Sequence, residues 1–293
     1  MKAKTLTALL AAATMFGSGA AMAEPFYLVA PNGGAGNDAD SRTANIFQFG
    51  VDYSATSTYI DSDGSFDGAN ESSFVTVGDT VVDSGFGTVS SLLKSDGIAY
   101  TGNNNLEGFG SSWGLSFSYN DLTGQVVAVD NSSLPTAQGI GAFYFTGTLQ
   151  VFYTTLDDND GSVLTSTRVM DLLVTSSSGT IGNAVLNASV DFSNSADAGL
   201  SQSLFYFADG SNWYDLWFAG KDLPTIEIAA RIDTNVDPQF VPTCDDEDCS
   251  TASRSNTLNG SVEFNRVPEP NVLALLGIGL FGLGAARRFK KTV

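Results

Sequence analysis

Gly141-Ala142-Phe143-Tyr144-Phe145-Thr146-Gly147-Thr148-Leu149-Gln150-Val151-Phe152-Tyr153-Thr154-Thr155 decides the fold. Its side chains alternate, with Phe143, Phe145 and Leu149 against Tyr144, Thr146 and Thr148. A period of two belongs to an extended chain, whose successive side chains point to opposite faces. Working outward, similar runs recur at 45–51, 73–82, 115–119, 125–130, 163–174, 184–192, 204–207, 225–232 and 259–264. Val, Ile, Thr, Phe and Tyr recur in them, and Gly, Asn, Asp and Ser clusters between them supply turn chemistry. No long interior segment shows a capped helical period, nothing repeats clearly every 20–50 residues, and no Pro-rich linker divides the body. The pattern predicts an all-β fold, a single antiparallel β-sandwich of jelly-roll type.

The chain has 293 residues, with 32 acidic side chains, 13 basic ones and no histidine, a formal charge of −19. The length allows a sizeable core. The missing histidines remove Ser-His, Cys-His and His-ligated metal mechanisms together. The charge argues against nucleic acid and anionic membrane surfaces as partners, since both repel it. It suits cations, above all Ca²⁺, which takes carboxylate and carbonyl oxygens.

The two ends carry basic charge of their own. Lys2 and Lys4 precede an apolar run from Leu6 to Phe16, and Ala21-Met22-Ala23 follows. A charged start, a short apolar run and small residues make a secretory signal peptide over residues 1–23. At the other end, Val267-Pro268-Glu269-Pro270 leads into an uncharged stretch over 271–286, closed by Arg287, Arg288, Lys290 and Lys291. Sixteen helical residues cover about 24 Å of a bilayer core of roughly 30 Å, so this is a short transmembrane helix. The basic cluster should stay cytoplasmic, which places the body across the membrane. The chain therefore divides into 1–23, 24–266 and 267–293. The exported body keeps 31 acidic and 7 basic side chains, a net −24.

The order Val-Pro-Glu-Pro, short Gly-rich apolar segment and Arg/Lys cluster resembles the PEP-CTERM sorting signal of Gram-negative bacteria. The resemblance implies recognition of Pro268-Glu269-Pro270 by an exosortase, a membrane-embedded cysteine protease or transpeptidase. It implies export across the inner membrane, a transient anchor there, and a final place at the cell surface or in the extracellular matrix. A second resemblance rests on Tyr53-Ser54-Ala55-Thr56-Ser57-Thr58-Tyr59, on Val77-Gly78-Asp79-Thr80-Val81-Val82-Asp83-Ser84-Gly85, and on Ser255-Asn256-Thr257-Leu258-Asn259-Gly260-Ser261 running into Phe264-Asn265-Arg266-Val267. These are similar to the flocculation-associated PEP-CTERM proteins, which implies a partner in exopolysaccharide and a role in floc or biofilm formation.

Several constellations could carry chemistry. Asp61, Asp63, Ser65, Asp67 and Glu71 place oxygens at alternate positions of a Gly-containing turn, as in the first half of a calcium loop. Phe74 stands where the bidentate Glu of a complete EF-hand belongs, and Asp-Gly turns are also ordinary hairpin chemistry. Asp157 to Gly161 is a poorer version of the same cluster and reads as a hairpin turn. Cys244 and Cys249, the only cysteines, enclose four acidic residues. Export favours a disulfide Cys244-Cys249 that clips an exposed loop. The same clip could hold an acidic loop for Ca²⁺. Trp213, Tyr214 and Trp217, with Phe218 beside them, could stack on sugar rings as a carbohydrate-binding module, or belong to the core. Trp113 is equally open. A glycan-cleaving enzyme survives the missing histidines because it needs only two carboxylates. Asp171 and Glu227 lie in apolar runs, where alternation puts both on the solvent face. No nucleophile elbow, phosphate loop or dinucleotide fingerprint is present, and the expected function is non-enzymatic.

Overall fold

A computed structural model describes residues 23–29, 42–64, 75–101, 106–134, 137–157, 159–221, 228–235, 243–245 and 250–267. The expected signal peptide up to Met22, Pro268-Glu269-Pro270, the apolar segment and the basic tail lie outside these residues, as do Ser65, Asp67, Glu71, Glu227 and Cys249. Among the described residues no helix is long and apolar enough to cross a membrane.

The described residues form twelve strands and two short helices, in order: β1 (Phe26–Leu28), β2 (Gln48–Ile60), β3 (Thr80–Leu93), β4 (Trp113–Asp130), β5 (Gly139–Thr146), β6 (Thr148–Leu156), β7 (Val163–Thr180), β8 (Asn183–Asp191), α1 (Ala198–Leu204), β9 (Phe205–Phe207), α2 (Trp213–Gly220), β10 (Ile228–Asn235), β11 (Thr243–Cys244) and β12 (Thr251–Arg266). The all-β expectation holds. The sandwich does not. Hydrogen-bonded neighbours run β10-β8-β7-β6-β4-β3-β2-β12, and β12 pairs back onto β10. All these pairings are antiparallel, so eight strands close into one barrel. Alternation shows that one face of each strand is buried. It does not show whether that face meets a second sheet or the far wall of its own sheet, and here it meets its own.

The decisive stretch is two strands rather than one. β5 pairs with the second half of β4 and β6 with the first half, so the two lie along the same edge. The register shifts where Thr123–Gly124 face Thr146 and Tyr144, which leaves Phe145 as an extra residue. Gly147 follows with φ 153, and a Cβ there would come 2.7 Å from Leu122 Cα. The bulge changes the parity of the run. Tyr144 points into the barrel, Phe143 and Phe145 are 39% and 49% exposed, and Leu149 points in again. Phe143, Phe145 and Leu149 therefore do not share a face.

Inward positions are mostly apolar: Phe49, Val51, Leu115, Leu149, Val151, Leu172, Leu186, Ile232 and Val262 are all buried. The outer face carries many Ser, Thr, Asp and Asn residues. That polarity is the reverse of a barrel that crosses a membrane with strands, which is apolar outside. One end of the barrel is stoppered by β1, β9 and α2, where Trp213 meets Phe26, Phe205, Phe207 and Phe264 at ring-centroid distances of 4.7–5.2 Å. At the other end buried Val75 exchanges backbone hydrogen bonds with the Gln138 amide, at 3.2 and 2.8 Å.

Candidate functional site

Five strands bring polar side chains into the barrel near the Val75 end. Ser57 on β2 sits opposite Asp83 on β3 and opposite Arg254 on β12, so the three share one inward row. The next row is Ala55, Gly85 and Asn256, with Tyr119 of β4 facing Gly85. Gly85 is glycine for a reason of space: a Cβ there would lie 2.6 Å from the Tyr119 hydroxyl. Tyr53 and Tyr59 of β2 and Tyr144 of β5 complete the ring. Apart from Gly85, these residues line a cavity of about 90 Å³ whose remaining wall is largely apolar, with Phe117, Ile140 and Leu149 among its residues.

Asp83 is the charged centre of this cavity. The Tyr144 hydroxyl donates to its Oδ2. Burial pushes its carboxyl up to about 6, opposed by the Tyr144 and Ser57 hydroxyls and by the nearby Arg254 charge. Burial also raises the phenols of Tyr53, Tyr119 and Tyr144, and lifts Tyr59 to about 12 with Arg254 working against it. Arg254 lies over the Tyr59 ring, 5.5 Å from its centroid. Such a set can accept a donor at Asp83, offer donors from tyrosine and arginine, and enclose an apolar body.

The described part of the acidic turn after β2 draws in a carboxylate from beyond the expected loop. Asp61 and Asp63 are joined there by Asp79, which precedes β3, and one carboxylate oxygen from each lies within 4.8 Å of the others. Asp79 is fully buried and holds the turn, accepting from Ser62 N and Oγ and from Thr76 N and Oγ1 at 2.8–3.2 Å. Asp61 accepts from Asp63 N and Gly64 N, at 3.1 and 2.8 Å. The three carboxylates could hold a hard cation. Their hydrogen bonds also account for the arrangement as turn chemistry. Asp79, sixteen residues beyond Asp63, was beyond the reach of a loop motif read along the chain.

The other predicted residues separate. Trp213 is wholly buried in the stopper and is unavailable to a glycan, because α2 begins at it and turns it toward Phe264. Tyr214 and Trp217 are half-buried on Phe192, at 5.4 and 5.7 Å, and only Phe218 of this group stands exposed. Trp113 is buried, and its indole N–H donates to Glu107 O at 2.8 Å. Asp171 is not solvated. It points away from the cavity, as alternation requires, but the Phe192–Asp197 turn and α1 cover it. Arg168 grips it with two bonds of 2.6 and 2.8 Å, and Asn194 adds a third at 3.0 Å. Asp157 and Asp160 cap the β6–β7 turn, where the Asn159 and Ser162 backbone N–H groups hold their carboxyls below the usual range. Cys244 ends β11, and its partner in the expected disulfide is outside the described residues.

Sequence reasoning passed over Asp83 and the tyrosines. The signal was there: Asp83, Gly85 and Gly87 alternate with Ser84, Phe86 and Thr88. Its two glycines interrupt the β-forming pattern, and the run expected from the sequence stops at Val82.

Residues 266–288 match the family of the PEP-CTERM protein-sorting motif. No curated protein and no solved structure shows a significant match to the chain. The barrel described above lies almost entirely outside the matched segment. The motif begins at Arg266, the last residue of β12, so the chain passes directly from the barrel into its sorting signal. The chain thus carries the PEP-CTERM sorting motif of exported proteins that an exosortase processes.

Proposed function

We propose that this is a non-enzymatic cell-surface or matrix protein that associates with exopolysaccharide in floc or biofilm formation. The observation that best supports the reading is the outer face of β12, β2, β3 and β4. Ser54, Thr56, Ser84, Ser118, Ser255 and Thr257 line one shallow groove there, and Phe86 stands on it 69% exposed. Hydroxyls in a flat array can trade hydrogen bonds with sugar hydroxyls, as Thr56 and Ser255 do with each other at 2.8 Å. An exposed ring can stack on the apolar face of a sugar. A carbohydrate-binding reading therefore moves from Trp213 to Phe86. A glycosidase would need two carboxylates facing across a cleft. Among the described residues, Asp83 is the one carboxylate lining the interior cavity and none lines this groove, while Asp52 and Asp233 line a separate shallow groove.

Deleting the gene is expected to reduce flocculation, and restoring it to recover it. A strain restored with Phe86→Ala should display the protein normally. That variant should bind extracted exopolysaccharide about fivefold more weakly, the loss of roughly 1 kcal/mol of ring contact. Unchanged flocculation in the deletion strain would remove the matrix role. Unchanged binding by Phe86→Ala would remove this face from it.

A further inference from the structure

Four buried side-chain atoms among the described residues have no hydrogen-bond partner: Asp83 Oδ1, Asn183 Oδ1, Arg254 Nε and Trp213 Nε1. The Trp213 atom sits in the stopper. Asn183 lines an outer groove with Asp52 and Asp233 as well as the barrel cavity, and the alternation of β8, with Ala184 and Leu186 inward, places it on the outer face. The other two atoms belong to Asp83 and Arg254, which share one inward row with Ser57 and line the cavity inside the barrel. Buried polar atoms are normally paired, so two orphans beside one space point to something that occupies it. One is an acceptor and one is a donor. The complement is a molecule with a donor and an acceptor.

We propose that the barrel interior is a binding site for a small amino compound, one that carries a protonated amine beside an oxygen acceptor. The ammonium donates to Asp83 Oδ1, and the oxygen accepts from Arg254 Nε. The rings of Tyr53, Tyr59, Tyr119 and Tyr144 surround the carbon skeleton, and aromatic rings favour a cation beside them. A small antiparallel barrel of eight strands has an interior suited to one small ligand. A volume of about 90 Å³ admits a molecule of few heavy atoms and excludes a sugar chain. The site is therefore separate from the outer face and from any role in exopolysaccharide.

The test is titration calorimetry on the exported protein with three probes: 2-aminopropan-1-ol, propylamine and propan-1-ol. The amino alcohol should bind saturably, one per chain, and removal of either polar group should weaken binding at least tenfold. Lowering the pH from 8 to 5 should also weaken it at least tenfold. Asp83, held near 6 by burial, then takes up a proton while the amine stays charged. Tyr53, Tyr59, Tyr119 and Tyr144, whose phenols burial pushes up, keep their protons in that range, and Arg254 is the other charged group facing the cavity. Asp83→Asn should abolish the preference for amine over alcohol. If that variant does not fold, the pH series on the natural protein carries the same test. No saturable heat, meaning water alone fills the cavity, would overturn the proposal. So would equal affinity for propan-1-ol and the amino alcohol.

Discussion

Ionising Asp83 places a carboxylate out of water inside a ring of tyrosines, and stability must register it. Its folded-state pKa is about 6 against an ordinary 3.8. Between those values the native state holds a proton that the unfolded state has lost. Stability therefore falls as pH rises from 4 to 6 and stays lowered above that, by about 3 kcal/mol at 1.36 kcal/mol per unit. Asp83→Asn keeps an oxygen acceptor for Tyr144 and cannot ionise. Urea unfolding at pH 4 and pH 8 should show the variant equal to the natural protein at pH 4 and more stable at pH 8. A difference independent of pH would show that the ionisation is not costly there. Residues like Asp83 are hard to read from sequence because their environment comes from other strands. Ser57 lies 26 positions before it and Tyr144 61 positions after it. Asp171 teaches the complementary lesson: its direction was legible in the period, but not the helix that covers it.

At the scale of elements, the strands were legible and their joints were not. The runs at 115–119 and 125–130 are one strand, β4, because Asn120 and Asp121 continue the extended chain through a register shift opposite Asp83–Gly85. The run at 73–82 is displaced, since Val75–Asp79 forms the turn and β3 begins at Thr80. Both helices are short, and each is announced only by its cap: Asp197 accepts from Leu200 N and Asn212 from Asp215 N, each at 3.0 Å. Such caps are indistinguishable in sequence from the many Asx turns around them. The joint that matters most is Gly147. Its φ of 153 belongs to the region that glycine alone enters readily, and Leu122 leaves no room for a Cβ. Gly147→Ala is expected to cost about 2 kcal/mol, read as a lower urea midpoint with an unchanged slope. If the midpoint does not move, the β5–β6 joint is not fixed by that residue.

For the whole molecule, the described residues that border the two expected sorting segments are tied to each other on the barrel. Glu24, the first residue after the expected cleavage point, donates its backbone N–H to Phe264 O at 3.1 Å, and its carboxylate receives Arg266. Arg266 also binds Asp209 at 2.9 Å and Ser211 at 3.0 Å, and lies 4.7 Å from the Phe207 ring centroid. The start of the body and the start of the sorting motif are thus tied to the same rim. The sequence showed both ends but could not show them meeting, because nothing in either run encodes the closure of β12 between β2 and β10. These groups are partly exposed, so the cluster should be worth about 1 kcal/mol and be weakened by salt. Hydrogen bonds from Ser211, then Arg266, hold the Asp209 carboxyl down at about 2. A depressed carboxyl stabilises the fold above its ordinary pKa and loses that effect as pH falls through the folded value. Arg266→Ala should therefore lower the urea midpoint at pH 7 in low salt, less so in 1 M NaCl, and least near pH 2. An effect that ignores both salt and pH would mean that Arg266 acts through its packing on Phe207 rather than through its charge.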